Sequence, residues 1–473
     1  MTATAAFLSA LRQEVGADGV LTEDDDLAYY GTDRCRGSWS VQPSVVVLPK
    51  TVAHVQAVVC LCVEHGVAIV PSGGRTGLAG AATATHGELV LSLERMAGIL
   101  EVDASSLTLR CQAGTTIQAV HDAAAEVGLS YPVDWAAKGT AQVGGSIGTN
   151  AGGVKVIRYG PTRNWVAGLK VVLADGSVVE TGGPLTKDNT GYDLKDLFVG
   201  SEGTLGIVVE ATLRLCPPPP GRVVALCAVP DVERVLELFT RVRSSGLTLR
   251  AFECFDQHGL VRVLAHRGGE GRGPFEDPSP QHALIEVEVT RRGDEARTVD
   301  ALTEQLADAQ EAGEITDAVL AQTPQQAKDL WSLREDISES LHPHRPHKAD
   351  ITLRLSLMAG FLSSWWARKR EHLPDVEAVV FGHIGDGNVH LNLLQPPDAD
   401  AEEFRARCKA FDQHTYGLVG EAGGSISAEH GIGLLKRDHL HHSRNAGELA
   451  MMRAVKRALD PNGLFNPGKI FSS

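Results

Sequence analysis

No stretch of this sequence approaches the ~20 consecutive apolar residues that crossing a bilayer requires, which argues against a membrane-spanning helix. The N-terminal MTATAAFLSALRQEVG also lacks the basic start and long apolar core of a secretory signal. The expectation is therefore a cytoplasmic protein, with peripheral membrane contact left open. An excess of positive charge is missing too: 44 Lys and Arg against 59 Asp and Glu leave a formal net charge of −15. Nucleic acid and anionic lipid surfaces both need a basic face, so neither is expected as a partner. A small anionic substrate sees only the field of its own pocket and stays admissible. The eight cysteines form no CxxC and no framework spacing, which fits a reducing compartment. Aromatic residues are sparse at 5%, whereas glycine reaches 50, a balance that suits a cofactor site lined by backbone.

Glycine is concentrated where it would serve such a site. Pro132 to Gly160, PVDWAAKGTAQVGGSIGTNAGGVKVIRYG, sets glycines among Thr140, Ala141, Ser146, Thr149 and Ala151. Without a Cβ the backbone can take φ > 0 and lay bare N–H groups against a ligand. Upstream, PSGGRTGLAG at 71–80 follows the apolar strand VAIV, and SEGTLG at 201–206 precedes the strand IVVEATLRL. The nests at 71–80 and 132–160, separated in this way, fit one extended dinucleotide better than two separate phosphates. A flexible Gly-rich loop is the plain alternative, opposed by the apolar patterns that frame the run.

The length allows two or three domains. From Pro43 the pattern reads strand, helix, strand, with the helix VAHVQAVVCLCVEHG ending at Gly66. Strands follow at 88–93, 107–112 and 169–173, with a helix at 115–127. Four prolines at 217–220 mark the clearest boundary. Beyond them, strands at 222–229 and 282–290 and helices at 231–244 and 295–311 predict an α+β unit on an antiparallel sheet. A polar surface loop is expected over 266–281. A helix at 324–340, a strand ADITLRLSL and helices at 359–372, 402–420 and 447–459 complete the reading.

The sharpest short motif is VVFGHIGDGNVHLNLL at 379–394. Read as two strands joined at Gly385-Asp386-Gly387-Asn388, it pairs Ile384 with Val389 and sets His383 opposite His390. Facing residues have Cβ atoms roughly 4.5–5.5 Å apart, close enough for two imidazoles to share a metal ion. Asn392 lies on the same face. SAEHGIGLLKR offers Glu429 as a further ligand, with His430 beside it, although Glu429 also reads as an acid at a helix N-terminus. HLHHS at 439–443 reads as a solvated polar face. On the predicted helix at 324–340, Arg334 and Ser338 stand at i, i+4 and share a face. An arginine there could hold a carboxylate through two parallel hydrogen bonds or pair with nearby acids on the surface. Lys348 follows a proline-punctuated loop.

PSGGRTGLAG, GGSIGTNAGGVKVIRYG, GYDLKDLFVGSEGTLGIVVEATLRLCPPP, FGHIGDGNVHLN, SAEHGIGLLK and DPNGLFNPGKI together resemble the vanillyl-alcohol-oxidase/p-cresol-methylhydroxylase flavoprotein family. The resemblance covers nearly the whole chain and is closest in the branch of FAD-linked D-2-hydroxyacid dehydrogenases; the Rossmann fingerprint is absent. It implies an α+β protein. An N-terminal segment (1–40) would precede a two-lobed FAD-binding domain (41–217) and a substrate, or cap, domain (218–422). A C-terminal section (423–473) would pack back toward the flavin.

Carried onto this chain, the resemblance sets Pro71, Ser72, Gly73, Gly74, Arg75, Thr76, Gly77 and Leu78 along the cofactor. Pro132, Asp134, Thr140 and Ala141 lead into a second segment of Gly144, Gly145, Gly148, Thr149, Asn150, Ala151 and Gly152, with Tyr159 and Gly160 after it. Glu202, Gly203, Gly206 and Ile207 form a third, and Asn466 a fourth. Covalent members tether flavin through a histidine in the first loop. This chain has none there, so the FAD is expected to be non-covalent. The resemblance also makes His383, His390 and Glu429 ligands of a divalent metal, with zinc expected, and His430 the catalytic base.

LREDIS around Arg334 and Ser338, followed by Lys348, implies substrate contacts from these three and Asn392. The implied substrate is a small anionic D-2-hydroxy acid, D-2-hydroxyglutarate ahead of D-lactate or glycolate. Ser338 stands where the hydroxyglutarate-oxidising branch has threonine. Electrons would pass through FAD to an acceptor such as an electron-transfer flavoprotein, a quinone or a cytochrome, and a homodimer is one expected assembly. A metallohydrolase built on the histidine pair, or a flavin electron-transfer subunit without its own substrate, are the rival classes.

Overall fold

The computed structural model describes residues 3–35, 39–269 and 273–472. Two compact units emerge. One combines Met1–Gly152, Gly160–Pro218 and Glu429–Ser473, and the other combines Gly153–Tyr159 and Pro219–Ala428. The division after Pro218 falls inside the four-proline run.

The first unit contains two sheets. Val20–Leu21, Val45–Val47, Leu89–Ser92 and Ile69–Ser72 form a four-stranded sheet in that order, with parallel pairing among the last three. The helix Val52–His65 provides the crossover between parallel strands. Thr51 caps its start by accepting from His54 N–H, and Gly66, at φ +64°, ends it in the left-handed region. Val55, Val58, Val59 and Cys62 recur at helical spacing and are buried on the core side. Each such apolar side chain contributes about 1.5–3 kcal/mol on leaving water, so a charge at Val58 or Val59 would unseat this face. Ile99–Asp103, Thr108–Gln112, Ile207–Arg214, Val166–Val172 and Val178–Gly182 form the second sheet, antiparallel throughout. Residues from both sheets, together with Phe7, Leu11 and Val15 of the N-terminal helix Ala5–Val15, enter one apolar core.

The second unit is built on a seven-stranded antiparallel sheet in the order Asp317–Leu320, Gly221–Val229, Gln281–Val289, Thr248–Asp256, Glu377–Gly382, Asn388–Leu394, His347–Thr352. The α+β expectation is met. Within the surface loop expected over 266–281, residues 270–272 lie outside the described residues; Gln281 already begins a strand. The strand expected through ADITLRLSL stops at Thr352, and the helix Leu355–His372 begins three residues later. Inside this unit His282 lies nearly parallel to the rings of Phe255 (5.1 Å) and Phe275 (5.9 Å). Burial pushes its imidazole down to about 4, against a smaller opposing effect from the Phe255 backbone.

Candidate active site

In the first unit the glycine-rich segments converge. A Cβ on Gly74 would lie 2.1 Å from Thr140 O, and one on Gly203 would lie 3.1 Å from Pro71 Cγ. One on Gly148 would come within 3.8 Å of Glu202 Cα, whereas one on Gly145 would meet nothing within 4 Å. Backbone thus packs on backbone in two places and on a proline ring in a third, and the bare Gly145 opens onto space, an arrangement that fits a long ligand held by main-chain groups. The middle segment is not wholly extended: Val143–Thr149 winds into a short helix that ends at Asn150, φ +50°.

The last segment of the chain binds these loops together. Asn466 Nδ2 donates to Ala81 O (2.8 Å) and Glu202 O (2.7 Å), and its backbone N–H donates to Ile69 O at 2.7 Å. The Glu202 carboxylate is buried and accepts from Ile432 N–H and Gly433 N–H, both at 2.7 Å. Burial raises its pKa to about 7 although the two N–H groups oppose the shift. Arg75, at φ +55°, lies over the rings of Tyr29 (4.6 Å) and Tyr30 (4.5 Å). Tyr159 packs with the second unit instead, where its hydroxyl donates to Glu288.

In the second unit the two histidines do meet, but in a different register. Phe381, not His383, pairs with His390. The strand ends at Gly382, and Ile384–Asp386 form a 3-10 turn closed by Gly387 at φ +84°. The turn needs more chain than a tight hairpin, so His383 leaves the ladder and Ile384 does not pair with Val389. The imidazoles still stand edge to face, with centroids 5.5 Å apart. Each turns Nδ1 toward a carboxylate: His383 to Glu253 Oε1 at 2.8 Å, and His390 to Asp350 Oδ1 at 3.4 Å. Asp350, fully buried, also accepts from Asn388 Nδ2 (2.8 Å) and Ala428 N–H (3.0 Å). An imidazole held at Nδ1 by a carboxylate would offer Nε2, the usual arrangement of a metal-binding histidine; His383 meets this with a hydrogen bond, His390 only with an ion-pair approach. Glu429 follows Ala428 directly; it and His430 belong to the first unit, His430 Nε2 lying 3.8 Å from Glu429 Oε1.

Arg334 is 5% exposed and reaches Glu253 Oε2 at 2.8 Å through Nη2. Its guanidinium lies 4.7 Å above the Phe381 ring. Among the described residues, Arg334 Nε has no hydrogen-bond partner. Burial would raise the Glu253 carboxyl, but His383 and Arg334 outweigh it and hold it below the usual range. Arg334 and Ser338 do not share a helix face. The first helix ends at Glu335, Asp336 caps it and is held by Arg267, and the next helix, Ile337–Leu341, leaves Ser338 exposed. Lys348 pairs with Asn392 across the last two strands of the sheet. Asn392 Nδ2 donates to Val379 O (3.2 Å) and His390 O (3.3 Å), while its buried Oδ1 has no partner among the described residues. Glu253 and Asp350 were missed from sequence. Each is an acid in a strand that carries other charged residues, so nothing in the sequence singles it out.

A backbone-lined dinucleotide cradle in one unit and a polar, histidine-bearing sheet face in the other define a flavin-dependent oxidoreductase. The chain belongs to the FAD-linked oxidases: residues 218–470 match the FAD linked oxidases, C-terminal domain, and residues 43–182 match the FAD binding domain. It is 46% identical to D-2-hydroxyglutarate dehydrogenase of Xanthomonas citri pv. viticola, covering 98% of this chain and 96% of the relative. A protein of the same description from Stutzerimonas stutzeri is 44% identical over 99% of both chains. A putative mitochondrial D-lactate dehydrogenase of Schizosaccharomyces pombe is 34% identical over 96% of this chain and 88% of the relative. Among solved structures, p-cresol methylhydroxylase with substrate bound shares the fold at TM-score 0.79 and 20% identity, covering 99% of this chain and 96% of that one.

Proposed function

We propose that this protein oxidises a D-2-hydroxy acid, D-2-hydroxyglutarate ahead of D-lactate, to the 2-oxo acid. The observation that carries the reading is Arg334. A buried guanidinium with a donor left over, on the same unit as two histidines that face carboxylates, suits an anionic substrate with more than one carboxylate. Near full-length similarity to relatives described as D-2-hydroxyglutarate dehydrogenases supports the substrate. The D-lactate alternative is supported by the yeast relative.

His383, His390 and Glu429 would hold a divalent metal, with zinc favoured by two imidazoles and a carboxylate. FAD in the glycine-lined cradle, bound without a covalent tether, would supply the hydride acceptor, and the metal would supply polarisation of the hydroxyl. Arg334 and Lys348 neutralise substrate carboxylates, and Asn392 orients them; Ser338 is assigned to the substrate by resemblance. His430 takes the proton of the α-hydroxyl as general base. The electrons then leave to a separate redox partner, an electron-transfer flavoprotein, quinone or cytochrome.

Anaerobic titration with D- and L-2-hydroxy acids, followed by flavin absorbance, tests the reading. Bleaching by D-2-hydroxyglutarate at the lowest concentration is expected. Failure of every D-acid to bleach the flavin would overturn it.

A further inference from the structure

Glu253 is 1% exposed and sits on the strand Thr248–Asp256, inside the seven-stranded sheet. Its two oxygens face different partners: Oε1 meets His383 Nδ1 at 2.8 Å and Oε2 meets Arg334 Nη2 at 2.8 Å. The contacts come from three separate elements, since His383 begins the turn after Gly382 and Arg334 lies on the helix Pro324–Glu335. Phe381 closes the arrangement, lying under the guanidinium and pairing with His390 on the neighbouring strand. A carboxylate enclosed this way costs free energy unless partners face both oxygens: Oε1 is hydrogen-bonded to the imidazole and Oε2 stands in an ion pair with the guanidinium, so both are held by one group.

We propose that Glu253 is a positioning residue that serves metal and substrate together. It keeps the proton of His383 on Nδ1, so that Nε2 is the atom offered to the metal, and it fixes the Arg334 guanidinium with its Nε–H left for a substrate carboxylate. This inference rests on the proposed roles of His383 and Arg334. It adds that those roles are not independent: whatever displaces the carboxylate disturbs both. An ion pair serving only the fold would instead leave metal retention and substrate affinity unchanged once the variant had folded.

Glu253→Gln keeps the shape but puts an amide NH2 where one oxygen stood, so one of the two donors meets a donor. In the FAD-loaded protein, zinc retention against a competing chelator should weaken about 10- to 100-fold, the usual effect of losing a group that orients a metal ligand. The KM for D-2-hydroxyglutarate should rise about 10-fold. Glu253→Asp keeps the charge on a shorter arm and should move both quantities in the same direction by less. It also provides the test if the glutamine variant does not fold. His383→Ala is the control. If it loses zinc while folded Glu253 variants keep wild-type zinc retention and KM, the proposal is overturned and the site reading stands. If His383→Ala retains zinc at wild-type affinity, the site reading falls and takes the proposal with it.

Discussion

Replacing His282 with phenylalanine should flatten the acid side of the stability profile. In the fold the imidazole lies between Phe255 and Phe275 and is 1% exposed, and burial pushes it down to about 4. In the unfolded chain it titrates near ~6.5. Between those values the unfolded chain holds a proton that the folded imidazole refuses. Stability is therefore complete above the unfolded value, falls as pH falls through the window, and levels off below the folded value. The window spans about 2.5 pH units, which at ~1.36 kcal/mol per unit is about 3 kcal/mol. Other buried groups act in the opposite sense: Asp33 and Asp256 are raised to about 6, and Glu202 to about 7, so each adds stability as pH falls. Only the difference between wild type and variant isolates His282. Urea unfolding of the FAD-loaded proteins, followed by circular dichroism at about pH 7.5 and about pH 4.5, measures it. At the higher pH the two differ by packing alone. At the lower, the variant should gain about 2–3 kcal/mol relative to wild type. Parallel profiles would refute the argument that the stacked site excludes the imidazolium.

Three further outcomes are expected. Acid precipitation should release the FAD, because the loop Gly73–Gly80 contains no histidine; flavin that stays with the polypeptide would contradict this. Metal analysis should find about one divalent ion per chain, and His383→Ala or His390→Ala should remove it while leaving the flavin spectrum nearly intact. Full activity after exhaustive chelation would sink the metal assignment. Lys348→Ala should lower kcat/KM for D-2-hydroxyglutarate roughly 10- to 1000-fold, the scale of a lost charge-assisted contact, and affect D-lactate much less. Equal losses on both acids would remove Lys348 from the distal carboxylate.

Where local periodicity and caps agree, the sequence is easy to read. The expected helix at 295–311 is the observed Glu295–Glu311, and the expected strands at 222–229 and 282–290 lie within one residue of the observed ends. The errors cluster where long-range contacts decide. Asp336 splits an otherwise continuous helical pattern, and its side chain is held by Arg267, far away in sequence. The turn after Gly382 takes a 3-10 path that alternation does not encode, so the histidine pair was anticipated but its register was not. Glu253 and Asp350 were invisible because a buried acid becomes meaningful only once its donors are known, and those come from other elements. The glycine-rich segments stood out because close backbone approach leaves a mark in composition itself.

The stitching by Asn466 fixes an order of events during synthesis. Asn466 ties together Ile69, Ala81 and Glu202, and Glu202 in turn holds Ile432 and Gly433. The ribosome makes the first unit's opening segments, then the whole stretch Pro219–Ala428 of the other unit, and only then the closing segment from Glu429. At ~5–20 residues per second that interval is about 10–40 s. Through it the nascent loops 71–80 and 201–206 wait without their last bonds. Completion of the cradle, and with it retention of the cofactor, waits until the segment from Glu429 has been made.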